Sequence, residues 1–386
     1  MNDYKIKWNL SIDEIDEASW FSLTGKRGNV FLSWKWLSAL EKSNTITREK
    51  GWQSIHLTIS KENKIIGLAP LYIKNHSYGE FIFDHNFQRL AYSLRLNYFP
   101  KIIGMSPFSP IEGYQFFISE DEDREIVNSL LINTIDNFAQ TNNILSTNFL
   151  YADKEWAKEI KKLGYNEWIN IQSEWSSHRI NTFDDYLLQF NSNQRRNIKK
   201  ERKSIEKESI KIQALSGRNI KESDMNNMFK FYEKHCDRWG DWGSKYLTQS
   251  FFKELSKDGL RDNVVLFCAL QKDMESPIAM SLCIKDRNNL YGRYWGSSKE
   301  VDNLHFETCY YSPISWGLNN GIKLFDPGAG GSHKARRGFK AKSISSLHRW
   351  YEINMNAYLK DFMQKSNKIM IEEISARNAQ LPFKID

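Results

Sequence analysis

The residues best suited to chemistry crowd one short segment, GAGGSHKARRGF, at positions 328–339. Gly328, Gly330, Gly331 and Gly338 alternate there with His333, Lys334, Arg336 and Arg337, and Lys340 lies just beyond. Glycine lets backbone N–H groups close on an anion, and lysine or arginine neutralises it. Such a loop can hold a phosphate or a developing oxyanion, and a solvated basic turn has the same composition. The spacing fits neither nucleotide-loop pattern. Lys334 is followed by Ala335 rather than Ser or Thr, and no βαβ unit surrounds the glycines. Ile322, Leu324 and Phe325 predict a short strand that Pro327 ends, so the loop hangs from a strand end.

Immediately upstream, YGRYWGSSKEVDNLHFETCYY places Tyr291, Arg293 and Trp295 on one face of a predicted strand, with Tyr294 between them. A buried arginine between aromatics is costly unless it meets an anion or a carboxylate. His305 and Glu307 open a predicted helix that carries Tyr310 and Tyr311. Either His305 or Glu307 can serve as a general base toward an amine nucleophile. The structural alternative has His305 capping the helix and Glu307 paired with Arg293.

Three other segments carry weaker signals. NSNQRRNIKKERKSIEK predicts a basic amphipathic helix, with Arg195, Lys199 and Arg202 on one stripe, Arg196, Lys200, Lys203 and Lys207 on the next, and Ile198 and Ile205 on the buried side. Arg195, Arg196 and Lys199 are its candidate RNA contacts, against the simpler reading of a solvated face tempered by Glu201, Glu206 and Glu208. NHSYGEFIFDHNF offers His76, Glu80, Asp84 and His85, whose spacing matches no zinc or iron pattern, so no metal site is expected. YFPKIIGMSPFSP brackets a strand with three prolines and reads as a rigid wall, and Trp239, Trp242 and Tyr246 read as core anchors or an aromatic shelf.

Two stretches that must help position these residues look alike. Residues 54–75 and 264–286 each read as an apolar strand, a charged turn and a longer apolar strand. The similarity points to an internal duplication, with two α/β domains of similar build. Helices are expected at about 34–43, 121–141, 153–163, 182–206, 221–238, 246–257, 305–319 and 356–376. Strands are expected at about 99–105, 115–119, 144–151, 166–178, 210–215, 263–271, 277–286, 289–296, 322–326 and 345–352. Frequent hairpins make the sheets mixed and mostly antiparallel, flanked by helices. The domains are expected at 1–178 and 179–386, with the boundary where SSHRINTFDD breaks the apolar pattern.

Composition fits this picture. Hydrophobic residues make up 40% and charged residues 26% of 386, a globular balance long enough for two cores. The net charge of +7 permits an anionic partner without requiring one. Cys236, Cys268, Cys283 and Cys309 form no C-x-x-C pair and sit in apolar runs, as reduced thiols do. With no apolar leader at the start and no run long enough to cross a bilayer, a cytoplasmic location is expected.

Taken in order, NVFLSWKWLSALEKS, NHSYGEFIFDHNF, YFPKIIGMSPFSP, NSNQRRNIKKERK, YGRYWG…LHFETCYY and GAGGSHKARRGF resemble the bacterial FemAB-like family of peptidoglycan biosynthesis/recognition, within the GNAT acyltransferase superfamily. The resemblance spans about residues 28–352. It implies two tandem GNAT-like domains and transfer of an acyl or aminoacyl group to an amine by direct attack, without a covalent enzyme intermediate. In Fem-type relatives the donor is an aminoacyl-tRNA and the acceptor a lipid-linked peptidoglycan peptide; in ordinary GNAT proteins the donor is acyl-CoA. Either is then a co-substrate rather than a resident cofactor, and the acceptor is a small-molecule or peptide amine. The sequence departs from the pattern in having no heptad-rich arm and no R/Q-x-x-G-x-G/A loop, which weighs against acetyl-CoA.

On this reading His305, Glu307 and Lys334 are catalytic. Arg293, Lys334 and Arg337 hold donor phosphate or oxyanion, and Tyr294 and Trp295 wall the cleft. Tyr310, Gly330, Gly331, His333 and Phe339 complete the substrate contacts. The rival reading is a non-catalytic module of degenerate GNAT fold that binds a cell-wall peptide or RNA.

Overall fold

The structure, a computed structural model, describes residues 4–240 and 243–384. The chain divides into two compact units: residues 1–171 with 343–372, and residues 172–342 with 373–386.

The first unit begins with β1 (Tyr4–Asn9), α1 (Glu17–Thr24) and α2 (Trp34–Lys42), followed by β2 (Trp52–Ser54), β3 (His56–Lys61), β4 (Lys64–Ala69) and β5 (Tyr72–Lys74). Next come α3 (His85–Ser93), β6 (Lys101–Gly104), β7 (Phe117–Ile118), α4 (Arg124–Thr141), β8 (Ser146–Ala152) and α5 (Lys154–Lys162), and the boundary at residue 171 falls within β9 (Asn166–Ser176). β1, β3, β4 and β7 form one antiparallel sheet in that order. β8, β6, β5 and β2 lie side by side in another, where β6 and β8 run parallel. The first hairpin thus departs from expectation. Its long apolar strand breaks at Pro70, whose missing N–H cannot continue a ladder, so β4 and β5 serve different sheets.

The second unit contains α6 (Phe183–Leu188), α7 (Ser192–Lys207), β10 (Ile210–Ser216), α8 (Glu222–Asp237), α9 (Gln249–Leu255), β11 (Val264–Gln271), β12 (Ala279–Asp286) and β13 (Asn289–Ser297). α10 (Leu304–Phe306) runs through a π turn, Glu307–Tyr311, into α11 (Ser312–Asn319), and β14 (Leu324–Asp326) follows. β15 (Lys340–Trp350) and α12 (Ile353–Ala379) come last, and their residues 343–372 belong to the first unit. The helix expected over 182–206 is two helices, because the Asn191 side chain accepts from the Gln194 N–H and caps α7. Strands β10 to β13 form an antiparallel meander, and β14 joins β13 in parallel only through Asn289–Tyr291 and Leu324–Asp326. The second hairpin is as read, with Val264 opposite Ile284 through Ala269 opposite Ala279. Under the site lies a core of Phe267, Cys283, Tyr311, Ile314, Phe325 and Phe339.

The prolines of YFPKIIGMSPFSP flank β6, and residues 101–111 are buried in the first unit. Trp239 is exposed rather than a core anchor, Tyr246 is half-buried, and Trp242 lies outside the described residues. All four cysteines are free thiols. Among the described residues, no helix is long and apolar enough to cross a membrane, and no group of His, Cys, Asp and Glu has a metal-holding arrangement.

Candidate active site

A bulge in β13 does much to shape the second unit. Cys283 faces Gly292 and Leu282 faces Tyr294, which leaves Arg293 as the extra residue. The expected single face of Tyr291, Arg293 and Trp295 is therefore interrupted. Arg293 is nearly sealed from solvent and meets a carboxylate, with Nη2 3.4 Å from Asp326 Oδ1. Asp326 Oδ1 also accepts the Gly328 N–H at 2.7 Å, tying the arginine to the start of the glycine loop. Tyr294 packs on Tyr232 and Phe252, and Trp295 packs on His305 at 5.1 Å between ring centroids.

The loop after β14 turns through Gly330 and Gly331 at φ of +71° and +83°, a region that L side chains rarely adopt. A Cβ on Gly331 would stand 2.6 Å from the His333 ring, so glycine there lets the imidazole fold back. His333 Nε2 lies 2.9 Å from Tyr310 Oη, and its ring is 5.5 Å from that of His305. Tyr310 in turn packs on Phe339, a core residue.

Lys334 is buried at 3% exposure and donates to the Gly328 carbonyl at 2.5 Å. Burial pulls its pKa down to about 8; Asp326 opposes that shift and Arg293 adds to it. Arg337 is equally buried, donates to Glu201 Oε2 at 2.8 Å and to the His333 carbonyl at 2.9 Å, and lies 3.4 Å over the Phe306 ring. Two of the three cations expected to grip an anion thus have carboxylate partners within the protein, which leaves Lys334, bound only to a carbonyl, best able to turn to a substrate.

Burial pushes His305 down to about 3, with His333 and other nearby cations adding to the effect, so its imidazole is neutral and a very weak base. Glu307 pairs with Arg202 rather than Arg293. Its carboxylate accepts from Arg202 Nε at 3.0 Å, Arg202 Nη2 at 3.1 Å and Ser312 Oγ at 2.8 Å. A carboxylate so engaged must break a charge-assisted fork to take a proton. His333 is also lowered, by burial and then by Arg337 and Lys334, but it is half-exposed and keeps Nε2 on Tyr310. Within this cluster it is the group best placed to accept a proton.

α7 frames the cluster. Gln194 donates to the Arg336 carbonyl at 2.7 Å, and Glu201 accepts from Arg337 and from the Tyr311 hydroxyl. Arg202 holds Glu307, while Ser204 accepts from Asn303 at 3.0 Å. Of the RNA candidates, Arg196 and Lys199 are exposed and Arg195 is half-buried. Sequence reasoning missed Glu201, Arg202 and Asp326 as site residues. Its one signal was the acidic residues interrupting a basic helix, which read as charge balance.

The second unit thus defines an α/β protein in which a bulged strand, a π turn and a glycine loop bring histidine, tyrosine and lysine together. The fold is that of FemX: the crystal structure of FemX aligns with TM-score 0.53 at 11% identity, over 92% of this chain and 100% of that one. L-PGS from Bacillus licheniformis aligns with TM-score 0.49 at 10% identity over 84% of this chain and 95% of that one. A tandem GNAT protein from the clavulanic acid biosynthesis pathway aligns with TM-score 0.48 at 6% identity over 90% and 98%. No curated protein matches the sequence. The FemAB-like family, described as peptidoglycan biosynthesis/recognition, matches residues 11–385, and the chain belongs to it.

Proposed function

We propose that the second unit is an N-acyltransferase centre that passes an acyl or aminoacyl group directly to an amine. The observation that carries this reading is the Tyr310–His333 pair, joining the π turn to the glycine loop, with the buried Lys334 next to His333 in that loop. π turns recur at functional sites. The amine attacks the donor carbonyl, and the carbonyl oxygen gains negative charge that the Lys334 ammonium stabilises. The proton leaving the amine passes to His333 Nε2, directly or through the Tyr310 hydroxyl. Collapse of the tetrahedral adduct expels the leaving group and restores the carbonyl, so no enzyme-bound acyl group forms.

The test compares metabolites and cell-wall peptides by mass spectrometry in cells with the protein, cells without it, and cells carrying Lys334→Met. An acylated amine present only with the intact protein is the expected result and would identify both substrates. Identical profiles in all three would overturn the reading.

An aminoacyl-tRNA donor is favoured by the exposed Arg196 and Lys199 on the helix whose other side anchors the loop. The Arg195→Ala, Arg196→Ala, Lys199→Ala triple variant is expected to bind tRNA more weakly. Its log–log salt slope should drop by about 2–3, roughly one per lost phosphate contact. Unchanged binding and slope would remove RNA from this helix.

A further inference from the structure

The first unit contains a second polar cluster, built from residues that the acyl-transfer reading does not use. Lys74 on β5 and Lys101 on β6 are directly opposite each other across an antiparallel pair. Both are at most 1% exposed, although like charges in that position repel. Lys101 spends all three N–H groups, on Glu80 Oε2 at 2.8 Å, Asp84 Oδ2 at 2.5 Å and Ser77 Oγ at 2.8 Å. Asp84 Oδ2 also accepts from Tyr98 Oη at 2.7 Å and Ser77 Oγ at 2.9 Å. Lys74, on the same face, has different partners: His76 Nδ1 at 3.2 Å, the Tyr78 carbonyl at 3.1 Å and the face of Trp52 at 3.8 Å.

The other oxygen of each carboxylate is the telling feature. Glu80 Oε1 and Asp84 Oδ1 are buried without a hydrogen-bonding partner, on side chains 1% and 4% exposed. Buried acceptors are nearly always paired, so two on neighbouring carboxylates mark a place for a donor. The backbone around them is held in an unusual state. Phe81, Phe108 and Tyr151 all have φ near +55° to +58°, and bulky residues enter that region only under constraint. Tyr151 Oη donates to the Glu80 carbonyl at 2.9 Å, and the Phe108 ring fills the place a Cβ on Gly79 would need.

We propose that this cluster is a binding site for a primary alkylammonium group, held by Glu80 Oε1 and Asp84 Oδ1. Two carboxylate acceptors call for a group rich in donors and carrying positive charge. The surroundings already suit ammonium: Lys74 lies on Trp52, and Lys101 lies near the rings of Tyr98 and Phe99 at 5.3 and 5.5 Å. A third cation is tolerable because burial has pulled Lys74 down to about 7, so it gives up its proton readily. Over the cluster, the turn from His76 to Phe83 exposes Tyr78 and Phe83, apolar surfaces for the ligand's methylene stem.

The test is calorimetric titration of the full chain with 1,5-diaminopentane and with 1-pentanol as the uncharged comparison. Saturable binding of the diamine but not the alcohol is expected. Glu80→Gln and Asp84→Asn should each weaken it by roughly tenfold or more, the worth of a hydrogen bond to a charged group. Because either variant can unfold, the wild-type protein is also crystallised with the diamine. A ligand nitrogen within hydrogen-bonding distance of Glu80 Oε1 or Asp84 Oδ1 supports the site. Absence of saturable heat, equal binding of pentanol, binding unchanged in both folded variants, or water on both oxygens with the diamine elsewhere would each overturn it. None of these readouts depends on acyl transfer, so the fate of this site and that of the second unit are separable.

Discussion

Lys334→Met is expected to lower the proposed acyl transfer by about 10²–10³-fold while the protein stays folded, the range found when a charge-stabilising donor is removed from an acyl-transfer site. Two features of the structure separate activity from stability here. The ammonium is the only one of the three candidate cations not committed to a carboxylate, since Arg293 has Asp326 and Arg337 has Glu201. Its burial is also a cost to the fold. The folded pKa of about 8 lies below the ordinary lysine value, so between the two the unfolded chain holds a proton that the folded protein has lost. Wild-type stability therefore rises with pH across that window, and burial of the charge weighs on the fold below it. Methionine removes that cost, though it leaves the Gly328 carbonyl without its donor, a loss of about 1–3 kcal/mol.

The pH profile follows from the same groups. On the proposed mechanism, wild-type kcat/KM is expected to rise as His333 loses its proton, with a midpoint below the ordinary histidine value because burial, Arg337 and Lys334 all disfavour the imidazolium. It falls again above about 8 as Lys334 becomes neutral. Lys334→Met abolishes the alkaline limb and leaves the acid one. A variant with full activity, or with both limbs intact, would remove Lys334 from the chemistry.

Sequence reading succeeded where one short-range rule governs the outcome. α2, α5, α8 and the β11–β12 hairpin follow from apolar periodicity and local caps, and the structure places them within a few residues of expectation. It failed where a distant partner decides. Arg293 calls for an anion, but nothing local says that the anion is Asp326, the last residue of another strand. Glu307 reads as a base or as a partner of Arg293, because its actual partner, Arg202, lies 105 positions earlier on a helix read as solvated. The β13 bulge also left no trace in the alternation of Tyr291, Arg293 and Trp295. Its effect is a register shift, visible only against the β12 partner. In the first unit, the spacing of NHSYGEFIFDHNF fits no metal pattern. Its carboxylates turn instead toward Lys101, a lysine inside a strand that reads as a wall.

Lys101→Met destabilises the first unit by about 3–5 kcal/mol, the cost of stripping one partner from a buried ion cluster. For a unit of this size that is a fall in Tm of roughly 6–20 °C. What remains after the substitution sets the cost. Glu80 and Asp84 stay buried, Ser77 and Tyr98 still donate to Asp84, and the neighbouring Lys74 keeps its ammonium on His76, the Tyr78 carbonyl and the Trp52 ring rather than on either carboxylate. The pH dependence fixes the cause. In the wild-type protein Lys101 and hydrogen bonds outweigh burial and hold Asp84 below its ordinary value, so its contribution is present at neutral pH and is lost as pH falls through that lowered value. Glu80 has the opposite sign: burial outweighs its share of Lys101 and raises it, so its contribution is lost as pH rises. Without Lys101 both carboxyl groups are raised, and both then favour the fold only while protonated. The deficit of Lys101→Met therefore grows from pH 4.5 to pH 8, as urea melts at the two values would measure. Adding Glu80→Gln and Asp84→Asn to Lys101→Met removes the uncompensated charges, so the triple variant regains much of the loss at pH 8 and little at pH 4.5. A Lys101→Met protein as stable as wild type at pH 8, or a deficit independent of pH, would show that the cluster's charges are not what holds this part of the fold.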